Sequence, residues 1–89
     1  MKQVVKVVEV DGEGLEGLMG KRTLIMCVDY FYHGTLVGVN EKFVKLDDCA
    51  IVYETGAWSD KAFKDAQLVG DAHYVMTQAI SSFREDNRR

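Results

Sequence analysis

The chain has 89 residues, of which 47% are hydrophobic and 28% are charged, and its net charge is −3. This length excludes a Rossmann enzyme, a TIM barrel and any two-domain protein, because a domain usually needs about 100 residues or more. The negative charge excludes the overall basic surface of a non-specific nucleic-acid binder, although it leaves room for a local basic site. A chain this short buries only roughly 60% of its unfolded surface, so we expect one domain, residues 1–89, that is stabilised by self-association.

The cellular compartment is indicated by the first residues and by the cysteines. The segment MKQVVKVVEVDG contains no stretch long or apolar enough for a signal peptide, and no run approaches the roughly 18 apolar residues of a membrane-spanning helix. Cys27 and Cys49 both lie in apolar, strand-like segments, which predicts two buried free thiols in a reducing compartment. We therefore expect a cytoplasmic protein that does not contact a membrane.

Eight glycines and no proline divide the chain into strand-like runs. Residues 4–10 predict an extra N-terminal strand because they are rich in β-branched side chains, and the glycine-spaced residues 11–20 predict a loop. Residues 23–33 predict one long strand, and Gly34 predicts a bend or bulge before a second strand at residues 35–39. One face of the long strand would carry Leu24, Met26, Val28, Tyr30 and Tyr32.

The second half of the chain predicts further strands around one polar insertion, residues 55–70. Within it, Ser59 as an N-cap and a short apolar stripe predict a helix over residues 60–67. The stripe consists of Trp58, Ala62, Phe63 and Ala66. The other predicted elements are a strand at residues 43–48 that continues through residues 49–54, two brief strands at residues 73–77 and 79–83, and a frayed, charged tail at residues 84–89.

Short strands in sequence order, joined by tight turns, predict a mainly β fold. We expect a small, strongly bent, five-stranded antiparallel barrel, with the N-terminal strand and the helix of the insertion added to it. Such a barrel needs few residues and protects most of its strand edges, which fits the length of the chain.

Gly12, Gly14 and Gly17 match the spacing of the dinucleotide-binding fingerprint. That fingerprint needs a helix of about ten residues whose N-terminus faces a pyrophosphate, and only residues 18–22 precede the next predicted strand. Glu13 and Glu16 would also bring negative charge against the phosphates. We therefore interpret the segment as a loop without a bound cofactor.

Few residues could carry catalysis or hold a metal: Cys27, Cys49, His33 and His73. No pair of them has the spacing of a metal-ligand motif such as C-x-x-C or H-x-x-x-H. We therefore predict no enzymatic activity, no metal and no cofactor.

The turn from Asn40 to Phe43 joins two predicted strands and combines an amide, a cation and an aromatic ring. Loops that bind single-stranded RNA use such groups, because bases stack on aromatic faces, amides read base edges and Lys42 could meet a phosphate. A plain hairpin turn with Phe43 in the core explains the same residues, and composition alone leaves both interpretations open.

The run YHGTLVGVNEKFVKLDDC, residues 32–49, resembles the first signature segment of the Sm-like family, which includes Sm, LSm and Hfq proteins. The shared features are a glycine in a bent strand, a second glycine four residues later, an Asn turn and an apolar strand with an acidic end. Residues 74–83, YVMTQAISSF, are similar to the final strand pair of Hfq. The resemblance covers about half the chain and extends to uncharacterised Sm-like proteins of phage type.

The resemblance implies a ring of roughly five to seven identical subunits, in which the fourth strand of one subunit pairs with the fifth strand of its neighbour. It also implies that single-stranded RNA binds at the ring pore. The implied interface residues are His73, Tyr74, Val75, Met76, Ala79, Ile80, Ser81 and Phe83. The implied RNA-binding residues are Asn40, Lys42, Phe43, Thr77 and Gln78.

The last of these loops departs from the family pattern. Met76-Thr77 stands where Sm proteins carry Arg-Gly, and Thr77-Gln78 stands where Hfq carries Lys-His, so the site lacks a cation there. The leading hypothesis is a homo-oligomeric ring that binds single-stranded RNA, as an RNA chaperone. The alternative is a structural or protein-interaction ring without RNA binding, whose partner surface would include Trp58 and Phe63.

Overall fold

The computed structural model describes residues 12–88, so the predicted strand at residues 4–10 lies outside the described residues. All strand pairs in this part of the chain are antiparallel, which confirms the prediction of a mainly β fold. In chain order the strands are β1 (Arg22–Cys27), β2 (Phe31–Val39), β3 (Phe43–Glu54), β4 (Asp65–Gly70), β5 (His73–Met76) and β6 (Ile80–Glu85). Two three-residue 3-10 helices, Glu16–Leu18 and Thr77–Ala79, precede β1 and connect β5 to β6.

The predicted barrel of five strands is wrong in its strand number and closure, because residues 12–88 form one sheet of six strands that does not close into a barrel. The spatial order is β4-β3-β2-β1-β6, and β5 pairs with the first half of β3 while β4 pairs with the second half. The consecutive strands β5 and β6 do not pair with each other, because Thr77–Ala79 carries the chain from β3 across to β1. This connection positions the residues of the candidate site described below.

The predicted helix at residues 60–67 is also wrong, since Asp65–Gly70 is strand β4 and pairs with β3. A local turn precedes the strand: the Asp60 amide donates to the Ala57 carbonyl, and the Ala57 amide donates to the Asp60 carboxylate. The apolar residues of the insertion do not form one stripe: Trp58 is exposed, whereas Phe63 is half-buried. The Phe63 ring packs against the ring of His33, and this contact holds the insertion against the sheet.

The long strand predicted at residues 23–33 is divided by a hairpin turn. The Cys27 amide donates to the Tyr30 carbonyl, and the Asp29 carboxylate accepts the Tyr30 amide. Val28 lies at the tip of this turn and is 96% exposed, so it does not belong to an apolar strand face. The predicted alternation fails within β1 as well, because the adjacent side chains of Leu24 and Ile25 are both fully buried.

Strand β2 runs through Gly34 and shows a register shift there, which confirms the predicted bulge and rules out a break between two strands. A Cβ at this position would lie 2.9 Å from the Asp47 carbonyl oxygen and 3.2 Å from the Cys49 Cα. Glycine is therefore needed because two backbones approach closely. The predicted runs 43–48 and 49–54 form the single strand β3, as expected.

A bend in β3 faces a bend between β4 and β5. Asp48 and Ala72 both have left-handed backbones, with φ of 49° and 57°. Two carboxylates tie the bends together: Asp71 accepts the Asp48 amide at 2.7 Å, and Asp47 accepts the Ala72 amide at 3.0 Å. These bonds let one long strand pair with β5 at one end and with β4 at the other.

The core lies on one face of the bent sheet, and both cysteines belong to it as free thiols, as predicted. Its fully or nearly fully buried members are Ile25, Cys27, Leu36, Val44, Leu46, Cys49 and Val75. Burial raises the pKa of the Cys49 thiol to about 11, and burial followed by the charge of Asp29 raises that of Cys27. Both thiols are therefore protonated near neutral pH. Between residues 12 and 88, no helix is long and apolar enough to cross a membrane.

Candidate functional site

The first group of candidate residues is the turn between β2 and β3. The side-chain oxygen of Asn40 accepts the backbone amides of Lys42 at 2.8 Å and Phe43 at 2.9 Å, and the Asn40 amide donates to the Phe43 carbonyl. This Asx-type turn fixes the loop and occupies the Asn40 oxygen. Asn40 can therefore offer the NH₂ group of its side chain to a ligand. The Lys42 side chain is exposed.

The second group lies in the connection between β5 and β6, and it contacts the first. The Thr77 amide donates to the Lys42 carbonyl at 2.9 Å, and the Thr77 hydroxyl donates to the Glu41 carbonyl at 2.7 Å. Residues 40–43 and 77–78, which are far apart in the sequence, thus form one surface that we call the loop cluster. Gln78 is exposed beside Thr77.

Phe43 is half-buried, so its ring is not a free stacking surface. It packs edge to face against Tyr74, with ring centroids 5.0 Å apart. The Lys45 ammonium lies 5.9 Å from the Tyr74 ring centroid, which brings a second cation near the loop cluster. Tyr74 was predicted only as an interface residue and Lys45 was not predicted at all, although Phe43 and Lys45 share a strand face by their spacing.

Strands β5 and β6 each leave one edge without a partner among residues 12–88. Because the Thr77 amide points to β3, alternation along the strand directs the Tyr74 and Met76 amides away from β3. The Asp86 amide donates to the Arg22 carbonyl, so the Phe83 amide on β6 points away from β1 by the same reasoning. Both strands therefore present backbone donors at a free edge.

The side chains predicted for a subunit interface divide into two sets. Val75 lies in the chain's own core, Ile80 packs against it, and His73 stacks on Tyr32 with centroids 5.0 Å apart. The Ser81 hydroxyl donates to the Met26 carbonyl. The remaining members have exposed side chains: Tyr74 (52%), Met76 (55%), Ala79 and Phe83 (37%).

Phe83 has an unusual environment for a large apolar side chain. It lies directly opposite Ile25, a core residue, and cross-strand neighbours share a sheet face. Phe83 therefore points to the core side of the sheet and yet is more than one-third exposed. The core side is open next to the free edge of β6.

A second cluster of functional groups lies on the opposite face, around His33, which is 1% exposed. Arg22 donates to Nδ1 of His33 at 3.1 Å, and Nε2 of His33 donates to the Asp86 carbonyl at 2.6 Å. Because a guanidinium can only donate and a carbonyl can only accept, the imidazole is neutral and carries its proton on Nε2. Burial, followed by the Arg22 and Arg88 charges, lowers the pKa of His33 despite its hydrogen bond to the Asp86 carbonyl.

Residues 86–88, which we call the C-terminal strap, cross this cluster in an ordered conformation. Arg88 forms a buried ion pair with Asp86, with Nη2 and Oδ2 2.8 Å apart, and also donates to the carbonyls of Thr55 and Ala57. Its guanidinium lies 4.2 Å from the Phe63 ring centroid. The predicted frayed tail is wrong for residues 84–88, because Arg84 and Glu85 end β6, and Asp86 and Arg88 of the strap are buried.

The hydrogen bonds from Arg88 explain the charge state of the strap. Burial alone would raise the pKa of Asp86, but those bonds outweigh it and hold that pKa below its usual range. The same contact, opposed by burial, raises the pKa of Arg88. No local motif in the sequence indicates this cluster, since its members come from β1, β2, the insertion and the strap.

A cleft of about 800 Å³ lies beside this cluster. It is lined by Arg22, His33, Asp48, Ala50, Phe63, Lys64, Asp65, Ala66, Leu68 and Asn87. Its two cations are already engaged: Arg22 donates to Thr35, the Asp48 carbonyl and His33, and Lys64 pairs with Glu54 at 3.4 Å. The cleft is therefore not a ready site for an anion.

The remaining sequence motifs form no site in the part of the chain that the structure describes. After Gly17 the chain forms only the 3-10 helix Glu16–Leu18 and then β1, so the glycine motif lacks the long helix that a pyrophosphate requires. Between residues 12 and 88, no three His, Cys, Asp or Glu side chains converge on a point that could hold a metal ion.

Comparison with known proteins does not identify a family: the sequence matches no protein-family model and no curated protein.

Proposed function

We propose that this chain forms a cytoplasmic ring of roughly five to seven identical subunits that binds single-stranded RNA at the loop cluster. The hydrogen bonds from Thr77 to residues 41 and 42 carry this proposal, because they join the two segments that the Sm-like resemblance implies for RNA binding. The proposal includes an RNA chaperone role and no enzymatic activity.

The free edges of β5 and β6 support self-association. Exposed edges with unpaired backbone donors readily accept another strand, and β5 and β6 offer two different ones within residues 12–88, beside the outer edge of β4. Pairing of β5 with the β6 of a neighbour uses two different surfaces, and such head-to-tail contacts form a ring when the rotation between subunits closes. Phe83 would then be covered on the core side of the joint between subunits.

The connectivity supports a shared binding surface at the ring centre. Thr77–Ala79 links the two edge strands, so assembly through those strands would repeat the loop cluster around the ring axis. In each subunit Lys42 would neutralise a phosphate, while the Asn40 amide and Gln78 would contact base edges. Phe43 would stack on a base through the part of its ring that Tyr74 leaves open.

The assembly is tested first with the pair Met76→Pro and Met76→Ala. Met76 has φ of −68°, which proline adopts without strain, and its amide points to the free edge. Proline therefore removes one intersubunit hydrogen bond and adds a steric block, whereas alanine keeps the amide. We expect native mass measurement to show the ring for the native chain and Met76→Ala, and smaller species for Met76→Pro. A monomeric native chain would contradict the proposal.

RNA binding is tested separately, by fluorescence anisotropy with short U-rich and A-rich RNAs at several salt concentrations. Lys42→Ala should weaken binding and reduce the slope of log K against log salt by about one. Lys61→Ala, which removes an exposed cation from the insertion, is the matched control and should leave the slope unchanged. An equal effect of both variants would show that Lys42 has no specific role.

The alternative, a ring that binds a protein and no RNA, is favoured by one observation. Trp58 is 55% exposed on the insertion, although Phe63 beside it is half-buried against His33 and Arg88. A ring without affinity for either RNA would support this alternative over RNA binding.

A further inference from the structure

We propose that the C-terminal strap closes over neutral His33 and opens when His33 takes up a proton, which uncovers the aromatic side chains of the insertion. This inference does not depend on the ring or on RNA binding. It rests on the position of one imidazole where β1, the strap and the insertion meet.

Three elements contact His33, and the cleft that His33 lines also carries the charged side chains of Lys64, which pairs with Glu54, and Asp65. Arg22 reaches Nδ1 from β1, the Asp86 carbonyl accepts from Nε2 on the strap side, and the Phe63 ring of the insertion lies 4.7 Å away. The other charges that act on the imidazole belong to Asp86 and Arg88. Two further groups lie one contact away.

The first of these is Asp48, whose carboxylate lies 3.5 Å from the Arg22 guanidinium. The second is the Cys49 thiol of β3, which keeps its proton and is uncharged because burial raises its pKa to about 11. Neither group offers a charged acceptor to His33 itself.

Protonation of His33 would disrupt this arrangement at Nδ1. The added N–H would point at an Arg22 nitrogen 3.1 Å away, which is itself a donor, and would bring two cations together. The nearest carboxylate, Asp86, is held by Arg88 through Nε and Nη2. An imidazolium at this position would therefore be almost fully buried and would face a donor at Nδ1, which is costly.

Of the elements that pack around His33, the strap can move away most easily and so expose the imidazole to water. β1 and β2 are each paired on both edges, so neither can shift without breaking a ladder. The strap is held by one backbone bond, from the Asp86 amide to Arg22, by the His33 contact and by the side chain of Arg88. Opening it would break few contacts and would leave the sheet intact.

The direction of the pH effect follows from linkage. Burial lowers the pKa of His33 in the closed state, and hydration in the open state would return it toward its ordinary value of about 6.5. The open state therefore binds the proton more strongly, and closure weakens as the pH falls below about 6.5. Asp86 responds at much lower pH because its pKa is held below its usual range.

Trp58, the single tryptophan, reports directly on the strap, since its ring centroid lies 5.1 Å from the Arg88 guanidinium. We would record its emission and its quenching by acrylamide from about pH 7.5 to about pH 4.5, with far-UV circular dichroism on the same samples. We expect a shift of emission and a rise in quenching below about pH 6.5, while the sheet signal stays constant.

Three variants make the test specific. His33→Gln keeps a donor and an acceptor but cannot be protonated in this range, so its emission should not respond to pH. His73→Gln removes the other histidine and should retain the response of the native chain. Arg88→Ala should show the acid-type emission already at neutral pH.

Three outcomes would contradict the opening of the strap on protonation of His33. Constant quenching down to about pH 4.5 would show that the strap stays closed. A change that coincides with loss of the sheet signal would show global unfolding. A pH response that persists in His33→Gln would assign the effect to another group.

Discussion

The C-terminal strap and the edge strands β5 and β6 differ in how completely their groups are satisfied within residues 12–88. On the side of the C-terminal strap, an insertion rich in charge and a charged tail are locked together by Asp86, Arg88 and His33. On the side of β5 and β6, regular strands leave backbone donors and apolar side chains at free edges. In this chain a high content of charged residues does not indicate a solvated segment. Regular secondary structure likewise does not indicate that all backbone groups are paired.

The largest expected effect is at the closed side. Arg88→Ala would leave the Asp86 carboxylate buried without its partner, and we expect the free energy of unfolding to fall by about 3 kcal/mol. Urea denaturation followed by circular dichroism measures this loss. The matched control is Arg84→Ala, which removes an exposed cation from above the Trp58 ring and should cost about 0.5 kcal/mol. Equal losses in the two variants would mean that the strap does not stabilise the fold.

At the open side we expect an effect on assembly instead of subunit stability. Phe83→Lys places a charge where the neighbouring subunit would cover the side chain, so we expect self-association to weaken about tenfold or more. Analytical ultracentrifugation over a range of concentrations measures the change. Tyr53→Lys replaces a comparably exposed aromatic residue on β3 and should leave the mass unchanged. If Phe83→Lys assembles normally, the open edge of β6 is not the interface.

The bend in β3 and the facing bend between β4 and β5 lie between these regions. Substitutions there should have a smaller effect on the free energy of unfolding. Asp71→Ala removes the acceptor of the Asp48 amide, which we expect to lower the free energy of unfolding by about 1 kcal/mol. Asp71→Asn keeps a side-chain oxygen in the same place and should lose less in the same urea experiment. The role assigned to this hydrogen bond would be refuted by a larger loss in Asp71→Asn than in Asp71→Ala.

The rates at which the two cysteines react with an alkylating reagent should also differ between the two regions. Cys27 lies opposite Ile80 on the free-edged strand β6, whereas Cys49 is fully buried behind Gly34. Local opening should therefore expose Cys27 more often, and we expect iodoacetamide to modify it about tenfold faster near pH 8. Peptide mass spectrometry of timed samples measures the two rates. Equal rates would indicate that both sides open together.

The sequence predicted the features that depend on local pattern. The mainly β fold, the turn at Asn40, the continuous run of β3, the bulge at Gly34 and the buried cysteines all follow from residue type and spacing. The resemblance implied a shared RNA-binding role for residues 40–43 and Thr77, and no local pattern predicted their contact across a separation of this length.

The errors arose where tertiary contacts override local preference. The stripe around Phe63 suits a helix, but its ring is used to cover His33, and the following residues gain ladder bonds with β3. The tail residues Asp86 and Arg88 suit a solvated end, yet each is the partner that allows the other to be buried. The full burial of both Leu24 and Ile25 likewise depends on cover from distant segments.

The pairing of β1 with β6 also determines the order in which the domain can be completed. This ladder joins residues 22–27 to residues 80–85, so β1 must wait for almost the whole described chain before its second partner arrives. Contacts between such distant segments form late because they require closure of a long loop. During synthesis the meander from β1 to β4 could therefore form early, while the strap, which continues from β6, would be among the last parts to dock.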